Sequence, residues 1–149
     1  MALRLIRTQE DEILRKRCRE VAVIDDGIRT LLDDMAETMY AQKGAGLAAC
    51  QVGVLKRLVV VDMGQGLLKL CNPVLTEQSG SQECVEGCLS IPGRVGATVR
   101  PNKVTLKALD EWGKEITLEA KGDLAKCFCH ELDHLDGILY SDKVVRWLK

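Results

Sequence analysis

Residues 127–137 read CFCHELDHLDG and carry the strongest chemical signal in the chain. His130 and His134 are four residues apart, and Glu131 directly follows the first of them. Positions i and i+4 share one face of a helix, so both imidazoles can reach one metal ion. The neighbouring glutamate could then move the protons of a water molecule on that ion. The chain has only two histidines, and this shared spacing favours a metal-binding helix over a plain surface helix.

The overall composition is that of an ordinary globular protein. The chain has 149 residues, of which 46% are hydrophobic and 29% are charged, and its net charge is −1. This length suits one domain with a sizeable core. The balanced charge indicates neither nucleic-acid binding nor an anionic membrane surface. Because the apolar runs are short and the N-terminus soon becomes charged, we predict a cytoplasmic protein without membrane segments.

The seven cysteines are predicted to be free. Their odd number, without a secretion signal, argues against a disulfide framework. Most of them are expected to be small buried apolar residues, and at least one remains available as a metal ligand.

The hydrophobic periodicity predicts two helices and mainly antiparallel strands. One helix should cover residues 26–42, and the other should run from about Gly122 or Asp123 to Leu135. Strands are predicted at residues 57–63, 67–72, 103–109, 115–120 and 138–140. Pro73 should end the second strand, with a polar loop at residues 77–83 and a last turn at residues 144–148. The predicted fold class is α+β: a single domain of residues 1–149, with mainly antiparallel strands packed around a central HExxH helix.

A catalytic metal centre usually takes three protein ligands, so His130 and His134 need a partner. Metallopeptidases with the pattern HExxHxxGxxH would have a third histidine at position 140, where this chain has Tyr140. After His134 the only carboxylate side chains are Asp136 and Asp142, close to the helix end. The third ligand should therefore come from upstream.

Cysteine is a plausible third ligand, because a metal strongly lowers the pKa of a bound thiol. Cys88 lies in EGCLS at residues 86–90, between a polar loop and Ile91. Spacing alone does not select Cys88 over Cys50 or Cys84. The alternative for Cys88 is another buried core cysteine.

Three strings occur in one order: GAGLAACQ at residues 44–51, EGCLS at residues 86–90 and HELDH at residues 130–134. Together they resemble the signature motifs of the peptide deformylase family, GxGLAAxQ, EGCLS and HExDH. The resemblance extends over nearly the whole chain. It implies a metal-dependent hydrolase that removes the formyl group from the N-terminal formylmethionine of newly made polypeptides and releases formate.

The same resemblance implies roles for individual residues. The implied metal ligands are Cys88, His130 and His134. The implied catalytic groups are the carboxylate of Glu131 as general acid and base, with the Gln51 amide and the Leu89 backbone N–H as oxyanion donors. The implied substrate-binding residues are Gly44, Gly46 and Cys127.

The implied cofactor is one divalent metal ion, ferrous iron in many family members, with zinc, nickel or cobalt also accepted. The implied partners are formylmethionyl nascent peptides, with transient proximity to the ribosome. The sequence departs from the family at Cys50, where proline is frequent. It also stops at Lys149, so ribosome docking through a long C-terminal helix is not expected.

Three other functions compete with deformylation. A zincin-like metallopeptidase would cleave internal peptide bonds, a non-catalytic metal-binding domain would not depend on Glu131, and a thiol hydrolase using Cys88 would survive chelation. Around the site, Asp133 and Glu86 are candidates to orient a ligand or pair with Arg100. The alternative for both acids is a plain surface charge.

Overall fold

The computed structural model describes residues 2–149, which form two antiparallel sheets and two α-helices. Helix α1 spans Asp26–Ala41, and α2 spans Gly122–Leu135. In spatial order, the larger sheet consists of β1 (Gly46–Ala48), β2 (Leu58–Val61), β3 (Leu68–Ser79), β6 (Lys103–Leu109) and β7 (Glu115–Lys121). The smaller sheet consists of β4 (Gln82–Cys88), β5 (Ile91–Arg100) and β8 (Arg146–Trp147). Short 3-10 helices occupy Glu12–Arg15, Ala49–Val52 and Tyr140–Asp142.

The larger sheet has one helix on each face. All four residues of β2 are fully buried. Val59 and Val61 pack in the cluster that contains α2, whereas Leu58 and Val60 pack in the cluster that contains α1. Successive side chains of a strand point to opposite faces, so β2 is covered on both sides. This explains why the LVVV run is continuously apolar rather than alternating.

Both predicted helices are confirmed, as is the hairpin of β6 and β7. Asp25 caps α1 by accepting a hydrogen bond from the Ile28 N–H, which satisfies one of the free donors at the helix start. All seven cysteines are free thiols, and six of them are buried. Within residues 2–149, no helix combines the length and apolar character needed to cross a membrane.

Four local predictions are wrong. Strand β3 continues through Pro73 to Ser79, because Pro73 lies at an irregularity in the pairing with β6, where its missing N–H is not needed. The polar loop predicted at residues 77–83 is therefore the end of β3 and the start of β4. Residues 138–140 form no strand, and Tyr140 begins a 3-10 helix. The last predicted turn contains β8 instead, which pairs with β5.

Strands β4 and β5 escaped the sequence patterns because several of their inward-facing residues are polar or charged. Glu86 on β4 and Thr98 and Arg100 on β5 are all buried. A half-buried strand normally alternates apolar with polar residues, and this pair of strands buries charged groups that neutralise one another. Only the tertiary pairing shows that these positions face inward.

Candidate active site

A cleft of about 520 Å³ lies between β1 and β4. Each of these strands is at the edge of its own sheet, so the cleft separates two sheets. Its wall includes every site residue predicted from the sequence except His134, which lies below it, 1% exposed. The structure thus brings together residues from three separate motifs.

Three candidate ligand atoms meet at the floor of the cleft. One from each of Cys88, His130 and His134 lies within 4.8 Å of the others. The Cys88 Sγ is 3.3 Å from the His134 Nε2. Cys88 ends β4, whereas both histidines project from one face of α2. Burial holds the pKa of His134 well below its usual value, which favours the neutral imidazole that a metal requires.

The ring of His130 is oriented by Glu86. Its Nδ1–H donates to the Glu86 Oε1 at 2.7 Å, which leaves the Nε2 lone pair available for a metal ion. Glu86 also accepts hydrogen bonds from Thr98 and, through two nitrogens, from Arg100. Burial alone would raise the pKa of Glu86, but the hydrogen bonds from His130, Arg100 and Thr98 hold it well below its usual range. Glu86 is therefore a carboxylate at neutral pH.

Arg100 joins both predicted acids in one buried network. Its side chain is 3% exposed, and its Nη1 donates to the Asp133 Oδ2 at 2.7 Å. Lys143 also contacts Asp133, at 3.0 Å. The alternative that Glu86 and Asp133 are plain surface charges is therefore wrong.

Glu131 points into the cleft beside the ligand cluster. Burial raises the pKa of its carboxyl group to about 7. Within residues 2–149, its Oε1 is buried without a hydrogen-bond partner. Buried polar atoms are nearly always hydrogen-bonded, so an unpaired oxygen on a carboxyl group that lines a cleft indicates a group that acts on something bound there.

Gln51 and Leu89 line the same cleft, Gln51 beside the larger sheet and Leu89 beside the smaller one. The Gln51 Oε1 accepts from the Ala48 N–H at 3.0 Å, and the Gln51 Nε2 donates to the Ser90 Oγ at 3.0 Å. A side-chain amide has two N–H donors, and the second one donates to the Cys88 Sγ at 3.6 Å. This contact keeps the second donor next to the three candidate ligand atoms. Leu89 follows Cys88 in the turn before β5.

The glycines of the first motif allow close approach to α2 and to the β4–β5 turn. A Cβ at Gly46 would lie 2.6 Å from the Glu131 Oε2 and 3.0 Å from the Cys127 Sγ. A Cβ at Gly44 would lie 2.8 Å from the Leu89 Cδ1. The backbone of β1 can therefore lie against Glu131 only because position 46 has no side chain.

We expect the substitution Gly46→Ala to lower kcat by about ten- to a hundredfold. The added methyl group must displace the Glu131 carboxylate, and misplacing a reacting group by about 1 Å can cost about a hundredfold in rate. Gly27→Ala, on the exposed start of α1, is the control and should leave turnover unchanged. Wild-type kcat in Gly46→Ala would show that Glu131 tolerates the displacement.

The donor set fits a divalent transition metal. A thiolate and two imidazoles are ligands that zinc and ferrous iron both accept, and three protein ligands leave a coordination position for water or substrate. Such a centre, with a buried carboxylate beside it and N–H donors opposite, defines a metal-dependent hydrolase. The family profile described as polypeptide deformylase matches residues 3–149. The chain belongs to the polypeptide deformylase family.

Curated relatives and solved structures agree with that assignment. A peptide deformylase of Acetivibrio thermocellus is 60% identical over 148 residues, which cover 99% of this chain and 87% of that protein. Peptide deformylase 2 of Clostridium acetobutylicum is 57% identical, with all of both chains covered. The crystal structure of the Ehrlichia chaffeensis peptide deformylase in complex with actinonin is 38% identical, has a TM-score of 0.95, and matches 97% of this chain and 90% of that one.

The protein is thus a metal-dependent hydrolase that removes the formyl group from formylmethionyl peptides. Two contributors to its site were missed by sequence reasoning. Ser90 orients Gln51, and Tyr140 stacks on the His130 ring, with ring centroids 5.8 Å apart. Ser90 could have been suspected because it ends the EGCLS string, whereas nothing local to Tyr140 indicates the ring that it contacts.

Proposed function

We propose that Cys88, His130 and His134 hold the catalytic metal ion and that this ion is ferrous iron in the cell, with zinc, nickel or cobalt also accepted. The observation that carries this proposal is the meeting of their three ligand atoms within 4.8 Å, beside the buried Glu131. In this proposal α2 is the central metal-binding helix of a single catalytic domain comprising residues 1–149.

Glu131 is the proposed general base and then the general acid. A divalent ion at this position supplies Lewis acidity, which lowers the pKa of water towards neutrality. The Glu131 carboxylate accepts the proton of the attacking water and afterwards delivers it to the departing amine. A carboxyl group with a pKa near 7 can do both within one turnover, because neither its acid nor its base form is strongly favoured.

Gln51 and Leu89 are the proposed oxyanion donors. The Gln51 amide is held by Ser90 and Ala48, and its second Nε2–H lies against the Cys88 Sγ, so this donor is positioned beside the metal centre with little further loss of side-chain freedom. The Leu89 N–H would approach from the other sheet. A donor of this kind is typically worth about 2.7–4 kcal/mol in acyl-transfer enzymes.

The peptide substrate is proposed to lie along the two strand edges that border the cleft. An exposed edge offers backbone N–H and C=O groups to an extended peptide, so β1 and β4 can each pair with it. Gly44 and Gly46 would keep the β1 edge open, and Cys127 would border the side chain of the formylmethionine.

Formylated nascent polypeptides are the proposed natural substrates, and the cytoplasm is the proposed place of action. Nascent chains with a formylated N-terminus are exposed as they leave the ribosome, so transient proximity to the ribosome follows from the substrate. The proposal includes no direct contact with nucleic acid, in keeping with the net charge of −1.

The direct test is formate release from formyl-Met-Ala-Ser by protein reconstituted anaerobically with ferrous iron. We expect turnover with iron, loss of turnover when a chelator removes the metal, and recovery when iron is added back. Cys88→Ala should bind little metal and release no formate, whereas Cys84→Ala, on the same strand, should behave like the wild type. A metal-loaded protein that releases no formate would overturn the proposed function.

The same assay separates the competing functions. A zincin-like peptidase would cleave an internal bond of an unformylated peptide, a non-catalytic domain would release no formate, and a thiol hydrolase using Cys88 would remain active with chelator. Mass spectrometry of the peptide products distinguishes loss of the formyl group from internal cleavage.

A further inference from the structure

The N-terminal segment of residues 7–9, which we name the strap, connects two parts of the site by hydrogen bonds to their backbone. The Arg7 N–H donates to the Gln51 carbonyl oxygen at 2.7 Å, and the Gln9 N–H donates to the Ser90 carbonyl oxygen at 2.9 Å. Gln51 and Ser90 are 1% and 0% exposed. The strap therefore contacts the buried backbone of both residues, while their side chains hydrogen-bond to each other.

The two contacts lie on different sheets. Gln51 is in the 3-10 helix that follows β1 of the larger sheet, whereas Ser90 is in the turn between β4 and β5 of the smaller sheet. The proposed oxyanion donors are divided in the same way, because Leu89 directly precedes Ser90. Their separation therefore depends on how the two sheets are held together at this point, and the strap spans that junction.

The strap is itself firmly attached. A Cβ at Gly53 would lie 2.8 Å from the Arg7 Nη2, so the guanidinium packs directly on the backbone after the 3-10 helix. The Arg7 Nη1 also donates to the Asp11 Oδ2 at 2.8 Å. Further towards the N-terminus, Arg4 pairs with Asp34 of α1 at 2.9 Å. A segment that is fixed on both sides can hold its two contacts, to Gln51 and to Ser90, at a defined distance, because it cannot simply move with either residue.

We propose that the strap is a positioning device for the oxyanion donors, in which the backbone N–H groups of Arg7 and Gln9 set the distance between the Gln51 amide and the Leu89 N–H. This inference rests on the proposed roles of Gln51 and Leu89. It adds to them that two residues outside the three motifs, through their backbone alone, support the transition state.

Gln9→Pro removes one strap contact with little other disturbance. The Asp11 N–H donates to the Thr8 carbonyl oxygen, so Gln9 occupies the second position of a tight turn. Proline is favoured at that position, and it has no N–H to offer to Ser90. Gln9→Ala is the matched control, because it removes the same side chain and keeps the N–H.

A double-mutant cycle with Gln51→Ala is the deciding experiment. In metal-loaded protein we expect Gln9→Pro to lower kcat about tenfold, with KM within about twofold of wild type and unchanged metal content, and Gln9→Ala to behave like wild type. In the Gln51→Ala background, Gln9→Pro should lower kcat by less than about threefold, since one of the two donors whose spacing it sets is already gone.

The possible outcomes are distinguishable. Equal losses from Gln9→Pro in both backgrounds, or no loss in either, would overturn the strap. If Gln51→Ala itself leaves kcat unchanged, the proposed oxyanion role of Gln51 fails, and the inference fails with it. Should Gln9→Pro not fold, an ester in place of the Thr8–Gln9 amide removes the N–H while every side chain is kept. The ester can be installed in the full chain by ligating a synthetic peptide of residues 1–17 at Cys18. The same cycle then applies.

Discussion

Glu131→Gln is expected to lower kcat by at least about a hundredfold while the protein keeps its metal. Proton transfer by a positioned general acid or base typically contributes about 10²–10⁴ in rate, and glutamine has the same shape but can neither accept nor return the proton. Glu131 is 4% exposed and its Oε1 is unpaired among residues 2–149, so the isosteric amide should fit without loss of folding stability. Formate release and metal content are measured on the same samples.

Glu119→Gln is the control for Glu131→Gln, because Glu119 is an exposed glutamate on β7. It should leave kcat and metal content at wild-type values. If Glu131→Gln kept more than about a tenth of the activity with full metal occupancy, another group would have to move the proton. Unchanged activity would mean that Glu131 has only a structural role in α2.

Arg100→Leu is expected to lower the free energy of unfolding of the metal-free protein by about 3–5 kcal/mol. Removing one member of a buried ion pair leaves its partner as an uncompensated charge, and here the buried Glu86 loses its guanidinium partner, whereas Asp133 keeps Lys143. Because Glu86 would no longer be held against His130, metal affinity should also fall about ten- to a hundredfold. Urea unfolding and a competitive metal titration measure the two effects.

The control for Arg100→Leu is Arg146→Leu, which breaks an ion pair of the same length, 2.7 Å, with Glu83. Both of those side chains are about 60% exposed, and such surface pairs are worth only about 0–1 kcal/mol. Arg100→Lys should fall between the two, since it keeps the charge but loses the paired hydrogen bonds to Glu86. If Arg100→Leu were no more destabilising than Arg146→Leu, the buried network would not support the fold.

The parts of the fold that could be predicted from sequence are those with local signals. Helix α1 shows apolar residues at helical spacing and an acidic cap, and β6 alternates between buried and exposed residues. Strands β4 and β5 lack such a signal, because their buried positions include Glu86, Thr98 and Arg100. Their burial is stable only because these groups meet one another and His130, and those contacts join residues 12 to 44 positions apart in the chain.

The candidate site also has one part that local sequence predicts and another that only the folded structure gives. Local sequence was sufficient for the pair of histidines on one helical face, since that spacing follows from helix geometry alone. It was not sufficient for the choice among Cys50, Cys84 and Cys88. The three side chains are identical, and they differ only in surroundings that the folded structure creates. The structure has Cys88 beside His134, whereas Cys50 is fully buried and its Sγ contacts the His134 carbonyl oxygen instead.

The CFCHELDHLDG stretch determined a helix with two imidazoles and a carboxylate side by side, because those distances are set by the helix itself. Tertiary structure alone decided that this helix lies under a cleft between two sheet edges, with Cys88 and Gln51 brought in from distant parts of the chain. It alone also placed the backbone N–H groups of Arg7 and Gln9 against the carbonyl oxygens of Gln51 and Ser90. Every residue except proline has a backbone N–H, so no sequence pattern can mark the few that the folded chain uses to hold a site.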